Sequence, residues 1–193
     1  MDSLQHTPRH TASQRLRRQP GFTLVEAAVT LAILAVLASG AAPSFHRLIE
    51  RQRLAGLAAQ LATDVQFVRS EAVLRNEALR LSFYSAVWGA CYVVHSGARN
   101  QCSCTAASAE ATCVADAAQI KTVIVPTSAG ASVQANVSSI LFDPLHGTST
   151  PTGTLRVVSP AAGSIHHVVN VLGRVRTCSP DGPIPALPGY RVC

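Results

Sequence analysis

A long apolar stretch and a long amphipathic stretch lie next to each other in the first part of the chain. Residues 22–42 are mostly apolar and carry one charge, that of Glu26. Over residues 45–72, apolar positions recur at steps of mostly three and four, which predicts one apolar face of an amphipathic helix. Pro43, between the two stretches, predicts a kink. We therefore expect one long helix that ends near Asn76, with its second half packed against a globular head.

The pattern changes to strands from Ala78 onward. Leu79, Leu81 and Phe83 alternate with polar residues, and further short β-rich runs are separated by Gly and Pro, as in antiparallel sheets. These further runs are residues 92–94, 121–125, 133–142, 155–157, 165–171 and the vicinity of Val175. Residues 96–118 are rich in Ala, Ser and Cys without a clear period, which predicts a loop tied by disulfides.

The six cysteines favour disulfides. They are Cys91, Cys102, Cys104, Cys113, Cys178 and Cys193. An even number of cysteines in a small domain is typical of an oxidising compartment. A zinc site built from His95 and the four cysteines nearest to it is the alternative, but the spacing of Cys102 and Cys104 is too short for a zinc knuckle. We pair Cys178 with Cys193 because they are close in sequence, and their loop of about 15 residues would contribute roughly 3 kcal/mol. Three pairings of the other four cysteines remain open.

The apolar stretch admits three interpretations. At about 1.5 Å per residue it reaches the ~30 Å of a bilayer core, and the basic residues before it predict a cytoplasmic N-terminus. It could be a secretory signal cleaved near Ala42, a plain membrane anchor, or a segment that is retained after cleavage in front of it. Glu26 favours the third interpretation, because a carboxylate in a membrane span costs a few kcal/mol and usually has a functional partner.

The sequence Gly21-Phe22-Thr23-Leu24-Val25-Glu26 resembles the prepilin peptidase site of type IV pilins and type II secretion pseudopilins. The resemblance implies cleavage after Gly21, methylation of the new amine of Phe22, and a mature chain whose fifth residue is Glu26. In that family this glutamate faces the N-terminal ammonium of a neighbouring subunit, which explains a charge that is otherwise costly in lipid. A leader of 21 residues is longer than the short leaders common in the family.

Motifs in the last third of the chain resemble the FimT/GspH group of minor pilins and pseudopilins. They are FDPLHG at 142–147, PTG at 151–153 and GRVRTC at 173–178. The resemblance implies an α+β, pilin-like fold, in which a long N-terminal helix, transmembrane in its first half, packs on an antiparallel β-sheet head with disulfides. The expected parts are a removed leader over 1–21, a transmembrane half-helix over 22–42, an amphipathic half-helix over 43–77 and a β-rich head over 78–193.

No motif in the sequence indicates an enzyme. A phosphate-binding loop, a Gly-x-Ser-x-Gly elbow and a His-Glu-x-x-His motif are absent, and we expect neither a cofactor nor a metal site. His166 and His167 are adjacent, so on a strand they would point to opposite faces and could not easily share a metal. We interpret both as surface or edge residues. Asp143, before Pro144, is interpreted as a turn residue.

Positive charge is concentrated in residues 144–193. The arginines there are Arg156, Arg174, Arg176 and Arg191, against Asp181 alone. Arg174 and Arg176 lie two apart, so on a strand both would face the same side. Gly173 permits a tight turn, and the C-terminal disulfide would hold Arg191 close to the pair. Such a cluster suits phosphate groups, and Gly-Arg-x-Arg resembles the loop that DNA-uptake members of the FimT group use for DNA. The alternative is a solvated or subunit-facing patch.

Together with the resemblance, these features predict a minor type IV pilin that is incorporated at or near the tip of a pilus. Its expected roles are pilus assembly and DNA binding and uptake in natural transformation. The alternative is a GspH-like pseudopilin that acts in type II protein secretion and does not bind DNA. Expected partners are other pilins or pseudopilins, prepilin peptidase, the inner membrane and DNA without sequence preference. The expected location is the bacterial inner membrane, as a single-pass protein with a periplasmic head, and the pilus at the cell surface after assembly.

Overall fold

The structure is a computed structural model that describes residues 21–105 and 110–193. Helix α1 spans Leu24–Arg75, and the rest of the regular structure in these ranges consists of strands and one short 3-10 turn. The chain divides into two compact units, Met1–Ala42 and Pro43–Cys193. Except for Gly21, the predicted leader lies outside the described residues.

The part of α1 in the first unit is apolar and exposed. Thr23 precedes the helix, and its Oγ1 accepts a hydrogen bond from the backbone N–H of Glu26 at 3.2 Å, which satisfies one of the free donors of the first turn. The side chains from residue 22 to residue 40 are all exposed. Among the described residues, no single helix meets the length and hydropathy criteria for a membrane span, and Leu24–Gly40 and Ser44–Arg75 meet them only as a pair across a break.

In the second unit, α1 buries one face with the predicted three- and four-residue spacing. The fully buried positions are Leu54, Ala58, Leu61, Val65, Val68 and Ala72. Phe45 and Leu48, which the pattern assigns to the same face, are 63% and 51% exposed. The apolar face therefore extends beyond the buried face, which begins only at Leu54. The helix ends close to its predicted end, because Asn76 has a φ of 52° and so leaves the helical conformation.

Eleven strands follow in the described ranges, and the predicted β-rich runs coincide with them. They are β1 (Leu79–Ala86), β2 (Gly89–Ser96), β3 (Cys102–Ser103), β4 (Thr112–Cys113), β5 (Gln119–Pro126), β6 (Ser132–Ala135), β7 (Ser139–Phe142), β8 (Ser149–Thr150), β9 (Gly153–Ser159), β10 (Gly163–Val169) and β11 (Val175–Cys178). One sheet has the order β5-β2-β1-β7-β8 and a second has the order β11-β10-β9-β6, while β3 and β4 form a small pair. All strand pairs within the sheets are antiparallel. The expected α+β class is confirmed.

A single core joins the buried face of α1 to both sheets. The first sheet contributes Leu79, Leu81, Tyr92 and Val94, among others, and the second contributes Leu155, Val157, Ile165 and Val169. Successive residues of a strand point to opposite faces, and these residues occupy alternate positions. The residues between them on the second sheet therefore point away from the core.

One polar cluster fastens α1 to the first sheet. Asp64 on the helix is only 3% exposed. Its carboxylate accepts a hydrogen bond from the Tyr92 hydroxyl at 2.7 Å and from Nζ of Lys121 at 2.6 Å. The Lys121 ammonium also lies 6.0 Å from the centre of the Phe67 ring. Burial and the neighbouring carboxylate raise the pKa of Tyr92 well above its usual range, so the hydroxyl remains a donor.

Three disulfides join all six cysteines. Cys178 pairs with Cys193, as proximity in sequence suggested, and the open pairings resolve to Cys91–Cys104 and Cys102–Cys113. The segment between β2 and β5 is therefore the disulfide-tied loop that its composition predicts, with residues 106–109 outside the described part. The zinc alternative is wrong, because the thiols are consumed in disulfides and Nε2 of His95 contacts the Ser82 hydroxyl at 2.8 Å.

His166 and His167 lie on β10, which is an inner strand of the second sheet. Their side chains take opposite faces, as their adjacency implies. The interpretation of both as surface or edge residues is wrong for His167, which is 1% exposed and contacts the Thr177 hydroxyl at 2.9 Å. Sequence reasoning missed this burial because an alternating strand can place an imidazole in a core position that is otherwise apolar.

Candidate functional site

The chain between β10 and β11 forms a tight turn over residues 170–174. Gly173 has a φ of 69°, a conformation that favours glycine, and its N–H donates to the carbonyl of Asn170 at 2.8 Å. The Asn170 side chain closes the turn, because its Oδ1 accepts the N–H of Arg174 at 2.9 Å. The expected tight turn is therefore present. Arg174 lies in this turn, before β11 begins, so the expectation that it shares a strand face with Arg176 is wrong.

Arg176 and Arg156 lie on the outward face of the second sheet. Arg176 on β11 is opposite Val168, and Arg156 on β9 is opposite His166, two positions away on β10. Residues two apart on a strand point to the same side, and the alternate residues of β10 are buried in the core. The two guanidinium groups therefore emerge from the same face, on the strands that flank β10.

Arg191 joins Arg176 at a cavity of about 460 Å³. The cavity is lined by Val168, Arg176, Thr177, Cys178, Arg191, Val192 and Cys193. The disulfide of the two cysteines holds the end of the chain beside β11, and the N–H of Ser179 donates to the carbonyl of Arg191 at 2.8 Å. The expected approach of Arg191 to Arg176 is present, whereas Arg174 does not line this cavity.

The four arginines carry charge that the described part of the chain does not neutralise. Arg156, Arg174, Arg176 and Arg191 are all exposed. Over residues 21–105 and 110–193, none of them forms an ion pair. Burial and the nearby Arg156 lower the pKa of His166, so this imidazole is neutral near pH 7. An exposed guanidinium can bind a phosphate through two parallel hydrogen bonds, so this surface is suited to anionic ligands.

A second candidate site is the N-terminal end of α1. Glu26 is the only charged residue between Phe22 and Gly40, and it forms no ion pair within the described ranges. Phe22, two residues before the helix begins, is 85% exposed. The capping role of Thr23 was missed from the sequence, although Thr-x-x-Glu before an apolar run is a recognisable helix-capping signature.

Two helix residues that contact the arginine-bearing turn or the neighbouring loop at Gly147 were also missed. Nε of Arg69 donates to the carbonyl of Gly147 at 2.9 Å, and Nε2 of Gln66 donates to the carbonyl of Gly173 at 3.4 Å. In the sequence these residues look like other polar positions on the solvated side of an amphipathic helix. They differ from those positions only because the loops that contain Gly147 and Gly173 accept hydrogen bonds from them.

Comparison with known proteins gives matches over most of the chain. The family model for "Type II transport protein GspH" matches residues 57–173, and the model for the prokaryotic N-terminal methylation motif matches residues 16–42. No curated protein matches the chain. Among solved structures, the type IV minor pilin FimU of Pseudomonas aeruginosa (strain PAO1) is similar at 19% sequence identity and a TM-score of 0.48, covering 67% of this chain and 90% of that chain. Three of the four arginines follow the end of the GspH match.

Proposed function

The chain belongs to the GspH family of minor pilins and pseudopilins, and on that premise we propose that it is a minor type IV pilin that binds DNA at or near the tip of a pilus. Family membership implies assembly with other pilins and processing by prepilin peptidase. The role in a pilus, the tip position and the part in natural transformation belong to the proposal. The family match together with the methylation motif is the observation that supports the filament role.

We place the processing site between Gly21 and Phe22, with Phe22 as the methylated first residue. The methylation motif covers this bond, and the exposed apolar helix behind it is suited to packing among other apolar helices. Mass spectrometry of the mature N-terminus tests the assignment. A bulky substitution such as Gly21→Phe should block processing, whereas Gly21→Ala, a small change, serves as the matched control. A mature chain that begins near Pro43 would contradict the filament role.

We assign Glu26 to assembly, as the partner of a neighbouring subunit's N-terminal ammonium. The Thr23 hydroxyl caps the helix by accepting the backbone N–H of Glu26, so Glu26→Gln leaves the capping bond in place and removes only the charge. We expect this variant to insert into the membrane but to enter filaments poorly. Thr23→Val is the control, because it removes the cap and keeps the carboxylate. Normal filament incorporation of the Glu26→Gln variant would show that the carboxylate is dispensable.

The arginine surface supports the DNA role. Arg176 and Arg191 share one cavity, Arg156 lies on the same sheet face as Arg176, and Arg174 lies in the adjoining turn. Backbone phosphates require local positive charge and no base contacts, so we expect binding without sequence preference. With three or four phosphate contacts, the logarithm of the binding constant should fall with the logarithm of salt concentration at a slope of about −3.

A gel-shift titration of the oxidised protein in non-ionic detergent, with unrelated duplexes, tests this role. Arg174→Gln/Arg176→Gln should weaken binding and make the salt slope shallower by about 2. Arg53→Gln/Arg75→Gln, which removes two charges from the helix, is the matched control. Equal binding by the first variant and the wild type would remove the DNA role.

A deletion strain then distinguishes a role in a type IV pilus from a role in type II secretion. Loss of twitching and transformation supports the pilus, whereas loss of protein secretion with normal twitching supports the GspH-like pseudopilin. Immunogold labelling of filaments tests the tip position, which requires label at filament ends.

A further inference from the structure

The Arg69 side chain on α1 donates a hydrogen bond to a backbone carbonyl rather than to a carboxylate. Its Nε donates to the carbonyl of Gly147 at 2.9 Å. The residue is half-buried, and in the part of the chain that the structure describes it forms no ion pair. The half-buried guanidinium therefore has a structural role, because it attaches the helix to the loop that contains Gly147.

Two glycines from different loops close on this one side chain. Gly147 and Gly173 have φ values of 59° and 69°, which side chains with a Cβ rarely adopt. A Cβ on Gly147 would lie 3.1 Å from Nε of Arg69. A Cβ on Gly173 would lie 2.8 Å from both Cδ of Arg69 and the carbonyl oxygen of Gly147. Both positions therefore favour glycine for conformation, and Gly173 requires it for space as well. The motifs FDPLHG and GRVRTC meet at Arg69.

The contact with Arg69 fixes Gly173, which is the residue directly before Arg174. Gly173 packs on Arg69, and its carbonyl accepts a hydrogen bond from Gln66 at 3.4 Å. The other end of the turn is held separately, because Ser149 donates through its hydroxyl to the carbonyl of Asn170 at 2.6 Å. The arginine-bearing turn is thus attached to the helix at one end and to β8 at the other.

We infer that Arg69 is a positioning residue that sets the place of the turn carrying Arg174, and thereby of the surface proposed to bind DNA. The structural part of this inference stands on the contacts of Arg69, and only its functional consequence rests on the proposed DNA role. Arg69 acts through its Nε hydrogen bond and its packing between the two glycines. Its charge alone is not sufficient, so lysine should not replace it.

Hydrogen exchange of the full chain in detergent micelles tests the structural part. The N–H groups of Gly173 and Arg174 are bonded within the turn and report on its opening. Arg69→Lys and Arg69→Gln should each speed exchange at these two amides about fivefold, as expected for the loss of one hydrogen bond. Amides of strand β2 that exchange through local opening should stay unchanged. Arg53→Gln, a charge removal elsewhere on the helix, should leave the turn as in the wild type.

Wild-type exchange at Gly173 and Arg174 in the Arg69→Lys variant would overturn the inference. An equal acceleration at all amides would also overturn it, since Arg69 would then act only on global stability. In the DNA assay, Arg69→Lys should weaken binding about threefold although the charge is kept. If Arg174→Gln/Arg176→Gln binds DNA as the wild type does, the DNA role fails, and the exchange data still decide whether Arg69 positions the turn.

Discussion

Removing the Lys121 ammonium should destabilise the head far more than removing a comparable charge at the surface. Asp64 would lose one of its two hydrogen-bond donors and would remain a nearly buried carboxylate held only by Tyr92. Lys121→Met keeps most of the side-chain volume and its packing near Phe67. The variant therefore removes the ion pair together with the contact between the ammonium and the Phe67 ring.

The magnitude follows from burial. Removing one partner of a fully buried ion pair costs about 3–5 kcal/mol. The Asp64 side chain is 4% exposed, but that of Lys121 is 40% exposed, so part of the attraction is screened by solvent. We expect a loss of about 2 kcal/mol in the free energy of unfolding. The pair Arg75–Glu71 has the same 2.6 Å separation, with side chains 47% and 17% exposed, and its loss should cost at most about 0.5 kcal/mol.

Hydrogen exchange of the slowest amides in β2 measures this difference in the full chain. For Lys121→Met we expect about 30-fold faster exchange, against about twofold for the matched variant Arg75→Met. Tyr92→Phe should also be destabilising, by about 1.5–3 kcal/mol, because it removes a hydrogen bond to a charged group. If Lys121→Met and Arg75→Met changed exchange equally, burial would not decide the strength of these pairs, and the reasoning would fail.

Three further expectations concern pH, cross-linking and a tight turn. Burial lowers the pKa of both His95 and His167, so the unfolded chain binds more protons than the folded chain at low pH. The melting temperature should therefore fall as the pH drops below about 6.5. A melting temperature that does not change between pH 7 and pH 5 would contradict this. Replacing Cys178 and Cys193 with serine should lower the free energy of unfolding by about 3 kcal/mol, measured by exchange of the slowest amides, and no change would show that the bridge is not stabilising. Gly89→Ala would place a methyl group 2.3 Å from a carbonyl oxygen of β5, at a φ of 145°, so little folded protein should be recovered by size-exclusion chromatography; a well-folded variant would refute the required glycine.

The helix and most of the strands could be predicted from the periodicity of apolar residues. The apolar spacing over the second half of α1 and the alternation in β1 are local signals, and each is a direct consequence of helix or strand geometry. Phe45 and Leu48 continue the same spacing without being buried, because spacing shows which face is apolar but does not show how far the sheet extends along it.

The parts that escaped prediction depend on contacts between distant segments. Asp64 looks like any acidic residue on a solvated helix face until Tyr92 and Lys121 approach it. Arg174 was expected on a strand because its neighbours are β-rich, yet Asn170 closes a turn that includes it. Lys121 is more than fifty residues from Asp64 in the sequence, and the turn that contains Arg174 depends on a side-chain hydrogen bond. Neither kind of contact leaves a pattern in the sequence.

The two disulfides of the cysteine-rich loop are interlaced in sequence, which has a consequence for biogenesis. Cys91 bonds to Cys104, and Cys102 bonds to Cys113, so each bond spans one end of the other. A chain made from its N-terminus presents Cys91 and Cys102 together first, and oxidation in that order would trap a non-native bond. Only one of the three possible arrangements of these four cysteines is native. We therefore predict that the yield of folded head depends on a disulfide isomerase more than on the supply of oxidant.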